Sequence, residues 1–126
     1  MKMLLAVALG GAIGAVARYG VGVWTGRVLG HGFPWATIIV NITGSLILGF
    51  LISYMALRTQ FPAEWRAFLA VGVLGAFTTF STFSLDATTL MQRGAIGSAV
   101  FYVLMSVPGA ILTFWGGQRL GRILFG

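Results

Sequence analysis

The sequence predicts an all-α membrane protein, one domain over residues 1–126 with four transmembrane helices. Four apolar runs, over about 3–24, 35–57, 67–90 and 95–117, carry that expectation first. Each holds roughly 22 to 24 residues, enough at about 1.5 Å per residue to cross about 30 Å of hydrocarbon. Composition agrees, since 58% of the residues are hydrophobic and 8% charged, and mean hydropathy is +0.96. The charge is the third observation. A net +6 comes from Lys2 and seven arginines, mostly between or beside the apolar runs. There it reads as topology signal and lipid contact, not nucleic-acid binding.

The same composition excludes much. Cysteine is absent, His31 is the only histidine, and Glu64 and Asp86 are the only acids. Little remains for hydrolytic catalysis or a side-chain metal cage, so no enzyme is expected. A cleavable leader is not expected either, because the first apolar run continues too far past Lys2 and ends without an A-x-A site.

In the first span, Gly10, Gly14, Arg18, Gly22 and Gly26 recur every four residues, a stripe that lets another helix approach closely. Arg18 can snorkel to the interface or line a watery vestibule. In the second, Thr37, Asn41 and Ser45 share a face with Gly44 beside them. The Asn41 amide is either interhelical glue or a donor aimed at a permeating anion.

The third span contains Gly75-Ala-Phe-Thr-Thr-Phe-Ser-Thr-Phe-Ser84. A glycine, two β-branched threonines and several competing hydroxyls make this the place where a helix is expected to open in the middle. Opened carbonyls inside a membrane must be buried in protein or line a wet cavity, where they commonly coordinate a cation. Phe80 and Phe83 lie three apart, on one face, among Ser81, Thr82 and Ser84. The fourth span repeats the polar stripe with Tyr102, Ser106, Gly109 and Thr113, and Pro108 is expected to kink it.

An even number of spans puts both termini on one side. Lys2, Arg58, Arg66, Arg119 and Arg122 gather there against Arg27 and Arg93, which leans towards cytoplasmic termini, although Arg18 narrows the margin. Polar stripes on several helices predict a path through the membrane. Its lining offers donors, one deep positive charge and no deep carboxylate, which favours a small anion. The positive edges of the Phe80 and Phe83 rings could meet that anion where a carbonyl would repel it.

Taken together, Gly75-x-x-Thr78-Thr79-Phe80-Ser81-Thr82-Phe83-Ser84, Asn41-x-x-Gly44 and Gly10-Gly11-x-x-Gly14-x-x-x-Arg18-Tyr19 closely resemble the CrcB/Fluc family of microbial fluoride channels, over all four spans. The resemblance implies an antiparallel, dual-topology homodimer in the cell (inner) membrane. Two fluoride pores would run along the subunit interface and passively export fluoride from the cytoplasm. It assigns Phe80 and Phe83 to the rings flanking the pore and Asn41 to the ion-binding amide. Tyr102 and Ser106 match the hydroxyl track on the fourth helix and Arg18 the vestibule, while Thr37, Ser81 and Thr82 are expected in the fluoride path from their polar stripes. The backbone carbonyls of Gly75 and Thr78, doubled by the dimer, match a central structural sodium site. Two residues depart from the family pattern: Asp86 stands where glutamate is common, and Ala110 where some members place another pore hydroxyl. Two other classes remain to be weighed. A small multidrug exporter would need a membrane carboxylate to exchange protons, and its first span here has none. A non-transporting assembly subunit would use every polar stripe as glue.

Overall fold

A computed structural model describes residues 1–126 and is helical throughout. Helix α1 runs Lys2–Leu29 and α2 runs Trp35–Ala56. The third span, Ala63–Gln92, is composite. It opens with α3 (Ala63–Arg66), continues as a π-helical stretch over Ala67–Leu74, and adds the short α4 (Gly75–Phe77). Helix α5 (Phe80–Gln92) completes it, and α6 (Ile96–Phe125) closes the chain. All four spans, of 28, 22, 30 and 30 residues, are long and apolar enough to cross a membrane. The protein is a multi-pass membrane protein.

Three spans outrun the boundaries their sequence predicts. α1 continues past Trp24 to Leu29, the third span runs Ala63–Gln92, and α6 continues past Gly117 to Phe125. The glycines and arginines at the end of α6 read as a terminus, yet Gly117 and Gly121 are packing positions. A Cβ on Gly117 would strike the Leu46 carbonyl, and one on Gly121 would stand 2.7 Å from the Ser53 Cβ. Bare backbone lets α2 and α6 pack closely along their length, and Ser53 Oγ locks them by donating to the Gln118 carbonyl at 2.9 Å. Thr113, read as part of a lining stripe, is glue of the same kind: its hydroxyl donates to the Ile42 carbonyl at 3.2 Å.

The glycine stripe of α1 divides in two. Gly10 and Gly14 lie against the π-helical stretch, where an added Cβ would strike the Phe68 and Val73 carbonyls. Gly22 faces open space and Gly26 seats the ring of His31, so neither serves helix packing. At the other end of the third span the chain reverses tightly. Gly94 takes φ 78°, while the Gly94 and Ala95 amides donate back to the Met91 and Leu90 carbonyls at 3.0 and 2.9 Å. That is a Schellman closure, and it needs a residue tolerant of positive φ.

Only 20 of 126 residues are buried and the accessible surface is 7736 Å². A soluble monomer of this mass would show roughly 6,500 Å². The excess is apolar helix surface, as a lipid-facing chain requires. The small core gathers where α2, α5 and α6 meet: Ile38, Phe83, Leu90, Ala99 and Tyr102.

Candidate functional site

Within the third span, Thr78 and Thr79 are extended (φ −85°, ψ 158° and φ −157°, ψ 126°). Helical pairing resumes at Phe80, where Thr79 Oγ1 caps α5 by accepting from the Thr82 amide at 3.2 Å. In a continuous helix the Thr79 and Thr82 amides would pair with the carbonyls of Gly75 and Thr78. Here they do not, because Thr79 N–H donates to Asn41 Oδ1 and Thr82 N–H to its cap. The carbonyls of Gly75 and Thr78 are thereby released from those donors.

Two neighbouring helices hold this stretch. Asn41 on α2 takes both polar groups of Thr79, accepting from its N–H at 2.7 Å and donating to its carbonyl at 2.9 Å. Arg18 on α1 donates through Nε to the Ala76 carbonyl at 3.0 Å. Gly44, one turn beyond Asn41, leaves space that a Cβ would deny to the Thr78 side chain. The Asn41-x-x-Gly44 spacing therefore serves one purpose, seating the extended pair against α2.

A groove of about 430 Å³ runs beside it, lined by Asn41, Gly75, Thr78, Phe80, Phe83 and Ser106 among others. Phe80 and Phe83 stand 5.3 Å apart at 45°, and Phe83 continues onto Tyr102 at 5.2 Å. The two rings are not equivalent: Phe80 is 73% exposed and Phe83 only 7%. Ser106 Oγ, in a residue 4% exposed, is buried with no hydrogen-bond partner. A hydroxyl in that state is costly unless something meets it. Val107, Ala110 and Ile111 line the rest of the groove along α6, and Ser45 on α2 faces the same stretch.

Arg18, Thr37 and Thr82 do not line this groove but a second cavity of about 560 Å³, together with Tyr19 and His31. Thr79 lines both. Ser81 is exposed, its Oγ 3.3 Å from Thr79 Oγ1. Tyr102 is fully enclosed, 0% exposed. Its hydroxyl donates to Asp86 Oδ2 at 2.9 Å, and Thr37 Oγ1 donates to the same oxygen at 2.6 Å. Asp86 is the residue that sequence reasoning undervalued. A carboxylate in an apolar span was itself the signal, since such a group must find donors. The hydroxyls of Thr37 and Tyr102, read as lining, are those donors.

Residues 5–118 match the family model described as CrcB-like protein, Camphor Resistance (CrcB). The chain is 53% identical over 119 residues to the fluoride-specific ion channel FluC of Agrobacterium fabrum, covering 94% of this chain and 95% of that one. It is 58% identical over 113 residues to the FluC of Rhodospirillum centenum, with 86% and 90% covered. Against the FluC of Thermus thermophilus it is 46% identical over 126 residues, covering 100% and 98%. A match that spans every helix, the extended pair and the groove it borders places the chain in the CrcB family.

Proposed function

We infer that the protein is a fluoride-selective channel that passively exports fluoride across the cell (inner) membrane. The observation that carries this reading is the groove where Asn41, Phe80 and Phe83 converge on the buried, unpartnered Ser106 hydroxyl. Full-length kinship to proteins named for fluoride conduction supports it. Fluoride is small and strongly hydrated, so a selective path must replace its water with short donors and keep larger anions out by width. Asn41 and Ser106 supply donors, and the rings supply electropositive edges in a narrow slot. Arg18 and Thr82 would serve the wider second cavity as a vestibule, with Thr37 and Tyr102 reaching the ion only in exchange for Asp86.

The groove is open on one side, and Phe80 with Ser81, Ser84 and Thr88 is exposed on α5. Ser84 and Thr88 spend their hydroxyls on carbonyls of their own helix, so what lacks a cover is the groove and the Phe80 ring. A second copy of the chain, packed antiparallel, would cover them and close two pores along its interface. The extended pair works in this assembly as the helix break. The carbonyls of Gly75 and Thr78, released from helical donors, are hard oxygen ligands suited to a structural sodium ion, and two protomers would offer four. Such an ion would supply fixed positive charge near the anion path.

Efflux from liposomes holding the purified protein tests the function directly. Fluoride is expected to leave, measured with a fluoride electrode, while chloride stays. Equal chloride efflux, or no efflux of either, would overturn the reading.

A further inference from the structure

Asn41 makes two hydrogen bonds to one residue. Its Oδ1 accepts from the Thr79 N–H and its Nδ2 donates to the Thr79 carbonyl. A primary amide carries an oxygen acceptor and two N–H donors. The pairing turns the oxygen and one N–H towards Thr79 and leaves the second N–H free. Asn41 also lines the groove beside Phe80, Phe83 and Ser106, so the free donor belongs to the groove wall.

The pairing also fixes which way round the amide sits. Turned over, it would set oxygen against the Thr79 carbonyl and N–H against the Thr79 N–H, losing two hydrogen bonds and adding two like-against-like contacts. In a part-buried site both losses weigh heavily. An asparagine free to flip would show an anion its oxygen as often as its donors. Only extended backbone offers a neighbour both the N–H and the carbonyl of one residue, because in a helix both are spent on the ladder. Arg18 holds the Ala76 carbonyl from the other side, so the backbone that presents Thr79 is anchored to α1 as well as α2.

We propose that the backbone of Thr79 is a latch on Asn41: it commits the amide oxygen and one N–H to the protein and leaves a single fixed donor facing the groove. Thr79 is then a positioning residue acting through its main chain, and the extended pair gives Asn41 its preference for an anion. The latch rests on the fluoride-channel reading only for what the free N–H meets.

Asn41 is the only asparagine in the chain. Labelling with ¹⁵N-asparagine therefore yields one side-chain NH₂ signal, readable by NMR on the assembled protein. Slow rotation about the amide C–N bond keeps the two protons distinct in any case; the free one is expected to move on titration with sodium fluoride while its partner, committed to the Thr79 carbonyl, holds its shift, and neither is expected to move with sodium chloride. Two protons that move equally would overturn the latch and leave the channel reading standing. Two distinct protons, neither sensitive to fluoride, would overturn the donor's assignment to the anion path even if the latch geometry holds. Thr79→Val removes the α5 cap but keeps both backbone groups, so the response of one proton alone to fluoride is expected to persist. Its collapse in a Thr79→Val protein that still assembles would show that the side chain, not the backbone, sets the amide.

Discussion

Replacing Phe80 by isoleucine removes a ring that is 73% exposed, whereas Phe83 is 7% exposed and stacks on both Phe80 and Tyr102. The first variant is the cleaner probe of ring-edge chemistry. Phe80→Ile is expected to change stability by no more than about 0.5 kcal/mol. It removes about 1 kcal/mol of edge interaction with the ion and so lowers fluoride efflux by roughly fivefold or more. Unchanged efflux from reconstituted Phe80→Ile would remove the ring from the path. Asp86 makes the opposite prediction. Asp86→Ala strips the shared acceptor from Thr37 and from the fully enclosed Tyr102, leaving hydroxyls unpaired at about 1–3 kcal/mol each. A clear fall in thermal midpoint of the detergent-purified protein is expected, and a midpoint equal to the parent's would show that the network holds nothing together.

Among the elements, α1 offers a built-in comparison. Gly14→Ala forces a methyl group into the Val73 carbonyl and within 3.0 Å of the Phe77 amide, whereas Gly22→Ala meets nothing within the protomer. Overpacking at Gly14 is expected to cost about 1–3 kcal/mol, while Gly22→Ala is close to neutral, both read as thermal midpoints. Equal effects would mean that the two glycines are not told apart by the π-helical stretch. Hydropathy alone made the four spans legible, because bilayer thickness imposes a length that 126 residues meet four times. The ends were less so. Gly117, Gly121 and Arg122 look like a terminus, and only the packing of α6 on α2 shows why the helix runs on. The π-helical stretch Ala67–Leu74 left no mark in the sequence, since its apolar residues suit an α-helix equally well. At the site, motif spacing gathered Asn41, Phe80, Phe83 and Ser106, and the structure sets them round one groove. It could not show that Thr37 and Tyr102 share Asp86 as their acceptor, because that pairing depends on how α2, α5 and α6 turn towards one another.

For the whole molecule, the absence of cysteine makes orientation measurable. Gln92→Cys, at the exposed end of α5, would be the only thiol. If two copies pack antiparallel, a membrane-impermeant maleimide is expected to label about half of the protein from each face of sealed vesicles, whereas the charge bias acting alone would favour one face. Labelling from one face only would exclude the antiparallel arrangement. The extended pair has one more consequence at this scale. Because it ends one helical run at Phe77 and starts another at Phe80, the third span carries two macrodipoles in place of one. The negative pole of the first and the positive pole of the second meet mid-membrane, each worth about half an elementary charge. A cation at the released carbonyls and an anion near the start of α5 would each find its matching pole. A single interruption of two residues would thus let one span hold ions of opposite sign without spending a formal charge on either.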